Sequence, residues 1–204
     1  MKLYDSIGPN PRVVRMAIAE KGMAIETVTV DLMGAENRQP AYLDRNPTGG
    51  LPCLALDNGN VISEITVIAE YLEELQPTPA IFGTTAEERA EARMWTRRID
   101  LSIVEPMTNA FRAAEGRGLF ASRMTLVGAE AAAELKGIAQ EKLLWLDAQM
   151  QGRTWVCGER YTVADMLLLA FVEFGATVGQ PMPAGATWLP EWHKRAAARP
   201  SSAA

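Results

Sequence analysis

The sequence predicts a small α/β unit followed by an all-α unit. Three observations carry this. The first 80 residues alternate short β-like runs with helix signals, whereas the pattern beyond Gln76-Pro77-Thr78-Pro79 is helical almost throughout. Charge divides the same way: residues 1–80 hold 6 Lys+Arg and 11 Asp+Glu, and the remaining 14 of each sign leave the rest neutral. Hydrophobic residues make up 48% and charged residues 22% of the 204, a globular composition.

Lys2–Asp5 reads as the first strand. Pro11–Lys21 is a helix with Val13, Val14, Ala17 and Ile18 on one face and a stop at Gly22. Ile25–Asp31 (IETVTVD) alternates with period two and is rich in β-branched residues, so it is a strand. Pro40–Arg45 makes a short helix. Cys53–Leu56 and Val61–Ile62 flank Asn58-Gly59, a pair that favours positive φ, and form a hairpin. Glu64–Leu75 carries Ile65, Ile68, Ala69 and Leu72 at helical spacing. The order β-α-β-α-β-β-α is the thioredoxin arrangement, with Pro52 at a strand start where a cis X-Pro bond is expected.

In the second unit, Thr84 or Thr85 caps a helix from about Glu87 past Ile103, with a kink or break at Pro106. Gly116-Arg117-Gly118 is a loop, and Gly128–Met150 a long helix rich in Ala and Leu. Thr162-Val163-Ala164-Asp165 is a capping box opening a very apolar helix to Phe174, with Tyr161 as its staple. Pro190-Glu191-Trp192 opens the last helix, which stops at Arg199-Pro200. The domains are expected at 1–78 and 86–204.

Several function classes drop out. The longest apolar run, Met166–Val172, is seven residues, far short of the ~18 that span a bilayer. No signal-peptide pattern follows Met1-Lys2, so a cytoplasmic protein without membrane partners is expected. A net charge of -5 argues against nucleic acid as the main partner. One histidine, His193, and two distant cysteines, Cys53 and Cys157, exclude a zinc-finger or metalloprotease site, a CxxC pair and two-histidine catalysis. No metal is expected. The two cysteines read as small core residues.

Four segments, in this order and spacing, carry a family resemblance. They are Asn46-Pro47-Thr48-Gly49-Gly50-Leu51-Pro52 with the strand after it, Ile62-Ser63-Glu64-Ile65-Thr66 leading to Tyr71-Leu72, the Thr162–Asp165 box, and Trp192 to Arg199-Pro200. The chain resembles the cytosolic glutathione transferases along nearly its whole length. That resemblance implies a homodimer, an N-terminal thioredoxin-like domain that holds glutathione, and a helical domain that supplies the pocket for a hydrophobic electrophile. It implies conjugation of the glutathione thiolate, in the manner of detoxification enzymes. Glutathione-dependent disulfide reduction or reductive cleavage is a second reading, and a non-catalytic binding module with the same fold a third.

Physical chemistry assigns roles to the matching residues. Glutathione is an extended peptide with two carboxylates, an amine and a thiol. Its backbone can pair with Leu51 ahead of Pro52 as one added strand. The helix opening near Glu64 offers free N–H groups and a positive dipole end to the γ-glutamyl carboxylate, and Glu64 can take the ammonium. Glu64 read plainly is a first-turn acid on its helix dipole; both roles are compatible. The next position is serine in most relatives and Ile65 here, which leaves a backbone N–H but no side-chain donor; Thr66 is the nearby hydroxyl. Arg38 and Gln39 lie where relatives hold the glycine carboxylate, and a plain surface loop is an equal reading.

The thiol has an ordinary pKa of ~8.5 and must be lowered. The usual tyrosine, serine or cysteine of the first strand end is missing. Tyr4 alternates inward, Asp5 would repel a thiolate, and Ser6 stands at the strand end. Asn10 occupies the position of the catalytic cysteine of beta-class relatives. It is expected at the N-cap, with Pro11 at the first helical position and its amide aimed at sulfur. Ser6 is the second candidate. The segment is also similar to a bacterial and fungal subset lacking the standard residue, in which helical-domain groups and a water assist; Asn109–Gly118 here has no histidine. Trp95, Met107, Phe111, Met124 and Trp188 are candidate pocket residues, with core as the plain alternative.

Overall fold

In the computed structural model, which describes residues 1–204, the N-terminal runs form a four-stranded mixed sheet. Its strands are β1 (Lys2–Asp5), β2 (Glu26–Thr29), β3 (Cys53–Ala55) and β4 (Val61–Ser63), in the order β2-β1-β3-β4. β1 pairs parallel with β2; β1–β3 and β3–β4 are antiparallel, with Leu3 opposite Leu54 and Leu54 opposite Ile62. Parallel pairing of β1 and β2 requires a crossover, which α1 (Pro9–Glu20) supplies. The pleat sends alternate residues to opposite faces. Leu3 and Leu54 therefore join Val14 of α1 and Ile68 and Leu72 of α3 (Ile65–Leu75) in one buried cluster. On the other face Cys53 joins Val30 and Tyr42, the latter from the short helix α2 (Pro40–Leu43), with Tyr4 packed against them. This is the thioredoxin-like arrangement.

The hairpin turns as its sequence requires: Gly59 has φ +86° and its N–H donates to the Leu56 carbonyl. The Leu51–Pro52 bond is cis, and so is Thr78–Pro79, which the sequence did not signal. The first helix starts earlier than expected. α1 begins at Pro9 behind Gly8, whose φ of +113° turns the chain, so Asn10 is the second helical residue and not the N-cap. Two prolines each suit the first helical position, and Gly8 selects the earlier.

The chain falls into two compact units, Met1–Phe82 with Arg199–Ala204, and Gly83–Ala198. The last six residues thus return to the first unit. There Arg199 grips Glu20 through two nitrogens at 2.8 and 2.7 Å, Ser201 Oγ donates to the same carboxylate, and Arg12 donates to the Ser202 carbonyl at 2.9 Å. The buried Lys21 ammonium pairs with Glu73 and the Pro79 carbonyl, and Glu73 also accepts from the Ile81 and Phe82 N–H groups. These bonds fix the segment after α3.

The second unit is helical: α4 (Ala86–Ile99), α5 (Glu105–Ala113), α6 (Arg117–Phe120), α7 (Ala129–Gln149), α8 (Val163–Thr177) and α9 (Trp188–Ala197). Thr85 caps α4. No break occurs at Pro106. The chain instead widens into a π-helical turn over Asp100–Val104, and Pro106 falls in the first turn of α5, where a missing N–H costs nothing. Arg117–Phe120 is a helical turn where a loop was expected, with Gly116 so close to Phe111 that a Cβ there would lie 2.9 Å from its ring. α8 runs to Thr177, three residues past the expected end, and is buried along most of its length. α9 starts two residues before Pro190 because Asp147 of α7 accepts from the Thr187, Trp188 and Leu189 N–H groups at 2.8–3.0 Å.

Candidate functional site

The first unit leaves three sets of polar groups without internal partners. The first is at Leu51. The turn before it is held by side chains. Arg38 Nη1 donates to the Thr48 carbonyl at 3.2 Å and Asn37 to that of Gly49 at 2.7 Å. Tyr42 and Asn46 both donate to the Gly50 carbonyl, at 2.6 and 2.9 Å. Gly49 has φ +63°, and a Cβ there would sit 2.8 Å from Arg38 Nη1 and 3.0 Å from the Asn37 carbonyl, which favours glycine. The pattern stops at Leu51, whose N–H and C=O find no partner within the chain. Pro52, next in line, is buried and leads into β3.

The second set is the start of α3. Ile68 makes the first helical bond, to the Glu64 carbonyl at 2.9 Å, and no side chain caps the turn. The N–H groups of Ile65, Thr66 and Val67 are therefore open, at the positive end of an 11-residue helix. Glu64 is exposed and holds φ +70°, a conformation that costs a non-glycine residue ~1–3 kcal/mol and tends to occur at ligand clamps. The Ile65 side chain packs against the sheet cluster. Ile65 thus contributes its side chain to the core, while its backbone donor stays available.

The third set is the start of α1. Pro9 and Pro11 carry no N–H, and Arg12 N–H reaches the Gly8 carbonyl at 3.4 Å. Asn10 is left as the one first-turn residue with an open backbone donor, and its partly buried side-chain amide makes no hydrogen bond either. Losing the cap role frees that amide. Ser6 is placed differently: it is 6% exposed and its hydroxyl donates to the Val30 carbonyl at 2.7 Å, which commits its only proton. Asp5 is paired with Arg15 at 2.8 Å, offsetting its charge. The Tyr4 ring lies edge-on to Tyr42 with Arg45 above it at 4.0 Å.

Arg38 and Gln39 separate. Arg38 is part of the scaffold of the turn, and its Nε is buried without a partner. Gln39 is exposed and its amide is free. Both cysteines are buried; burial pushes the Cys53 thiol up, and that of Cys157 up to about 11, so neither supplies a thiolate near neutral pH.

In the second unit, an open groove of about 460 Å³ is lined by Arg117, Ala121, Ser122, Met124, Thr125 and Leu126. Of the expected pocket residues Met124 is here, and Phe111 packs between Phe120 and Phe174. Trp95, Met107 and Trp188 are buried. Helical spacing does not distinguish a lining residue from a core one. Asn37 and Tyr42 carry no local sequence sign of their donor role, because the carbonyls they meet are 8–12 residues away. Asn46, inside the motif, was a visible signal.

Known proteins share both parts. Residues 7–75 match the family model of the glutathione S-transferase N-terminal domain, and residues 109–200 that of the C-terminal domain. Glutathione S-transferase 2 of Saccharomyces cerevisiae is 32% identical over 204 residues, covering 98% of this chain and 87% of the relative. The crystal structure of a glutathione S-transferase domain-containing protein of Marinobacter aquaeolei superposes with a TM-score of 0.92 at 33% identity, over 99% of this chain and all of that one. Gtt2 of Saccharomyces cerevisiae gives the same TM-score at 31% identity, over 100% and 99%. With the sheet order, the open Leu51 backbone and the Thr162–Asp165 box, these likenesses make the chain a member of the glutathione transferase family.

Proposed function

We propose that the protein adds the thiolate of glutathione to a hydrophobic electrophile, acting as a cytoplasmic homodimer. The observation that carries this is the Leu51 backbone, unpaired behind Pro52 in a unit whose α3 start is also open. Leu51 pairs with the peptide backbone, the Ile65 and Thr66 N–H groups receive the γ-glutamyl carboxylate, Glu64 takes the ammonium, and Gln39 and Arg38 face the glycine end. Asn10 donates to sulfur and lowers the thiol pKa together with the positive end of α1; Ser6, whose proton is already engaged, ranks behind it. The helical unit receives the electrophile.

Glutathione titrated by calorimetry in buffers of different ionisation heat tests this reading. Saturable binding with proton release near neutral pH is the expected result. Binding without release leaves a holding site, and no binding leaves a non-catalytic module of the same fold. Asn10→Ala should raise the bound thiol's pKa more than it weakens binding; an unchanged thiol pKa removes Asn10 from the mechanism. The two buried cysteines favour one feature of the second reading: any disulfide cleavage would use the thiols of two glutathione molecules, giving two substrate thiols and one glutathione disulfide.

A further inference from the structure

The Thr48, Gly49 and Gly50 carbonyls are all taken by side-chain donors, and Leu51 immediately after them is not. Three of those donors, Asn37, Arg38 and Tyr42, come from the segment ahead of the turn. Asn37, Tyr42 and Asn46 are 2%, 3% and 4% exposed, so they are fixed parts of the fold and out of reach of a ligand.

Within the turn the Gly49 N–H donates to the Asn46 carbonyl at 2.9 Å and the Gly50 N–H to Thr48 Oγ1 at 3.1 Å, which engages its donors but none of the Thr48, Gly49 and Gly50 carbonyls. A Cβ at position 49 would press on Arg38 Nη1 at 2.8 Å and on the Asn37 carbonyl at 3.0 Å, and a Gly-Gly pair is the most permissive backbone available. A ligand that adds a strand needs its acceptor and donor oriented beforehand; otherwise binding carries the ordering cost of ~1–2 kcal/mol per residue. The carbonyl side of the turn is fixed from outside the glycines, by the buried donors, and the Gly50 carbonyl they hold shares a peptide plane with the Leu51 N–H. We propose that Asn37, Tyr42 and Asn46 are positioning residues that orient the Leu51 N–H and C=O for the backbone of an extended thiol peptide, setting its affinity without touching it. This rests on the functional reading above.

The test uses the full chain and glutathione. Tyr42→Phe keeps the ring in the core and removes only the hydroxyl; Asn37→Ala removes a different donor to the neighbouring carbonyl. Each should raise the glutathione Kd and KM about fivefold to tenfold. The effect should fall on glutathione KM and leave the KM for an activated aryl halide as it was. In the glutathione complex, the protection of the Leu51 amide from exchange should fall in both variants. Asn37→Gln, if it still reaches the Gly49 carbonyl, should restore part of the affinity. A lowered melting temperature with unchanged glutathione Kd and unchanged protection of the Leu51 amide in the complex, in both variants, would assign these residues to the core alone and overturn the proposal. Wild-type protein that binds no glutathione would overturn the functional reading and this inference together. Tight wild-type binding that both variants retain would overturn only the inference.

Discussion

α3 and α8 open in opposite ways. At α8, Asp165 is completely buried and accepts from the Thr162 and Val156 N–H groups and from Trp192 Nε1, each at 2.9 Å, while the Thr162 hydroxyl accepts in return. At α3, the corresponding first-turn groups meet nothing in the chain, and the residue before the helix is an exposed Glu64 at positive φ. Both are helix starts with a carboxylate nearby. One satisfies its orphan donors internally and specifies the fold. The other leaves them open, as the proposed glutathione site requires. A capping residue is thus distinguished from a binding residue by where its donors end.

The largest break in that comparison comes at Asp165. Asp165→Ala leaves two backbone N–H groups and an indole N–H buried without acceptors, at ~1–3 kcal/mol each with partial relaxation. A loss of roughly 4 kcal/mol in urea denaturation is expected. A loss under 1 kcal/mol would mean the box is replaceable, and α8 would belong with α3.

Next in size is a pH effect at the same residue. Burial pushes the Asp165 carboxyl up to about 6, against the hydrogen bonds that favour its charged form. The folded state therefore holds this proton more tightly than the unfolded chain, whose carboxyl has an ordinary pKa near 3.9. The proton-linked stability is fully present below about pH 4 and is lost as pH rises through about 6, in total about 3 kcal/mol. Relative to Asp165→Asn, wild-type stability should fall over that window, and the Asp165 carboxyl carbon should titrate near 6 by NMR. A midpoint near 4 would show that the donors outweigh burial.

How much of this was legible follows from distance along the chain. The Thr162–Asp165 box spans four residues and is readable as a motif, but its Val156 and Trp192 donors, 9 and 27 residues from Asp165, are not. The period-two strands and the Asn58-Gly59 turn were local and were read within one or two residues. The start of α1 was misplaced because Pro9 and Pro11 satisfy the same rule and the φ of Gly8 decides between them. The return of Arg199–Ala204 to Glu20 spans 179 residues and left no local sign. At the candidate site, Leu51, Pro52 and Glu64 stood in motifs; the donors from Asn37 and Tyr42 act through tertiary contacts that a linear pattern does not contain.

The smallest stability effect is the most informative about α3. Glu64→Ala removes an exposed side chain that caps nothing, at a residue whose positive φ alanine must also adopt. Stability should change by about 0.5 kcal/mol or less, as for a surface site away from packing. The glutathione Kd should nonetheless rise about tenfold, because the ammonium loses its charged partner at a hydrogen-bonded site worth ~1.5 kcal/mol. Glu64→Gln should fall between the two, since it keeps an acceptor and loses the charge. Urea denaturation and calorimetry on the same samples separate the outcomes. A stability loss near that of Asp165→Ala with unaltered affinity would place both helix starts in the structural class. Unaltered stability with a weakened glutathione complex would mean that Glu64 serves the ligand's ammonium and not the helix start.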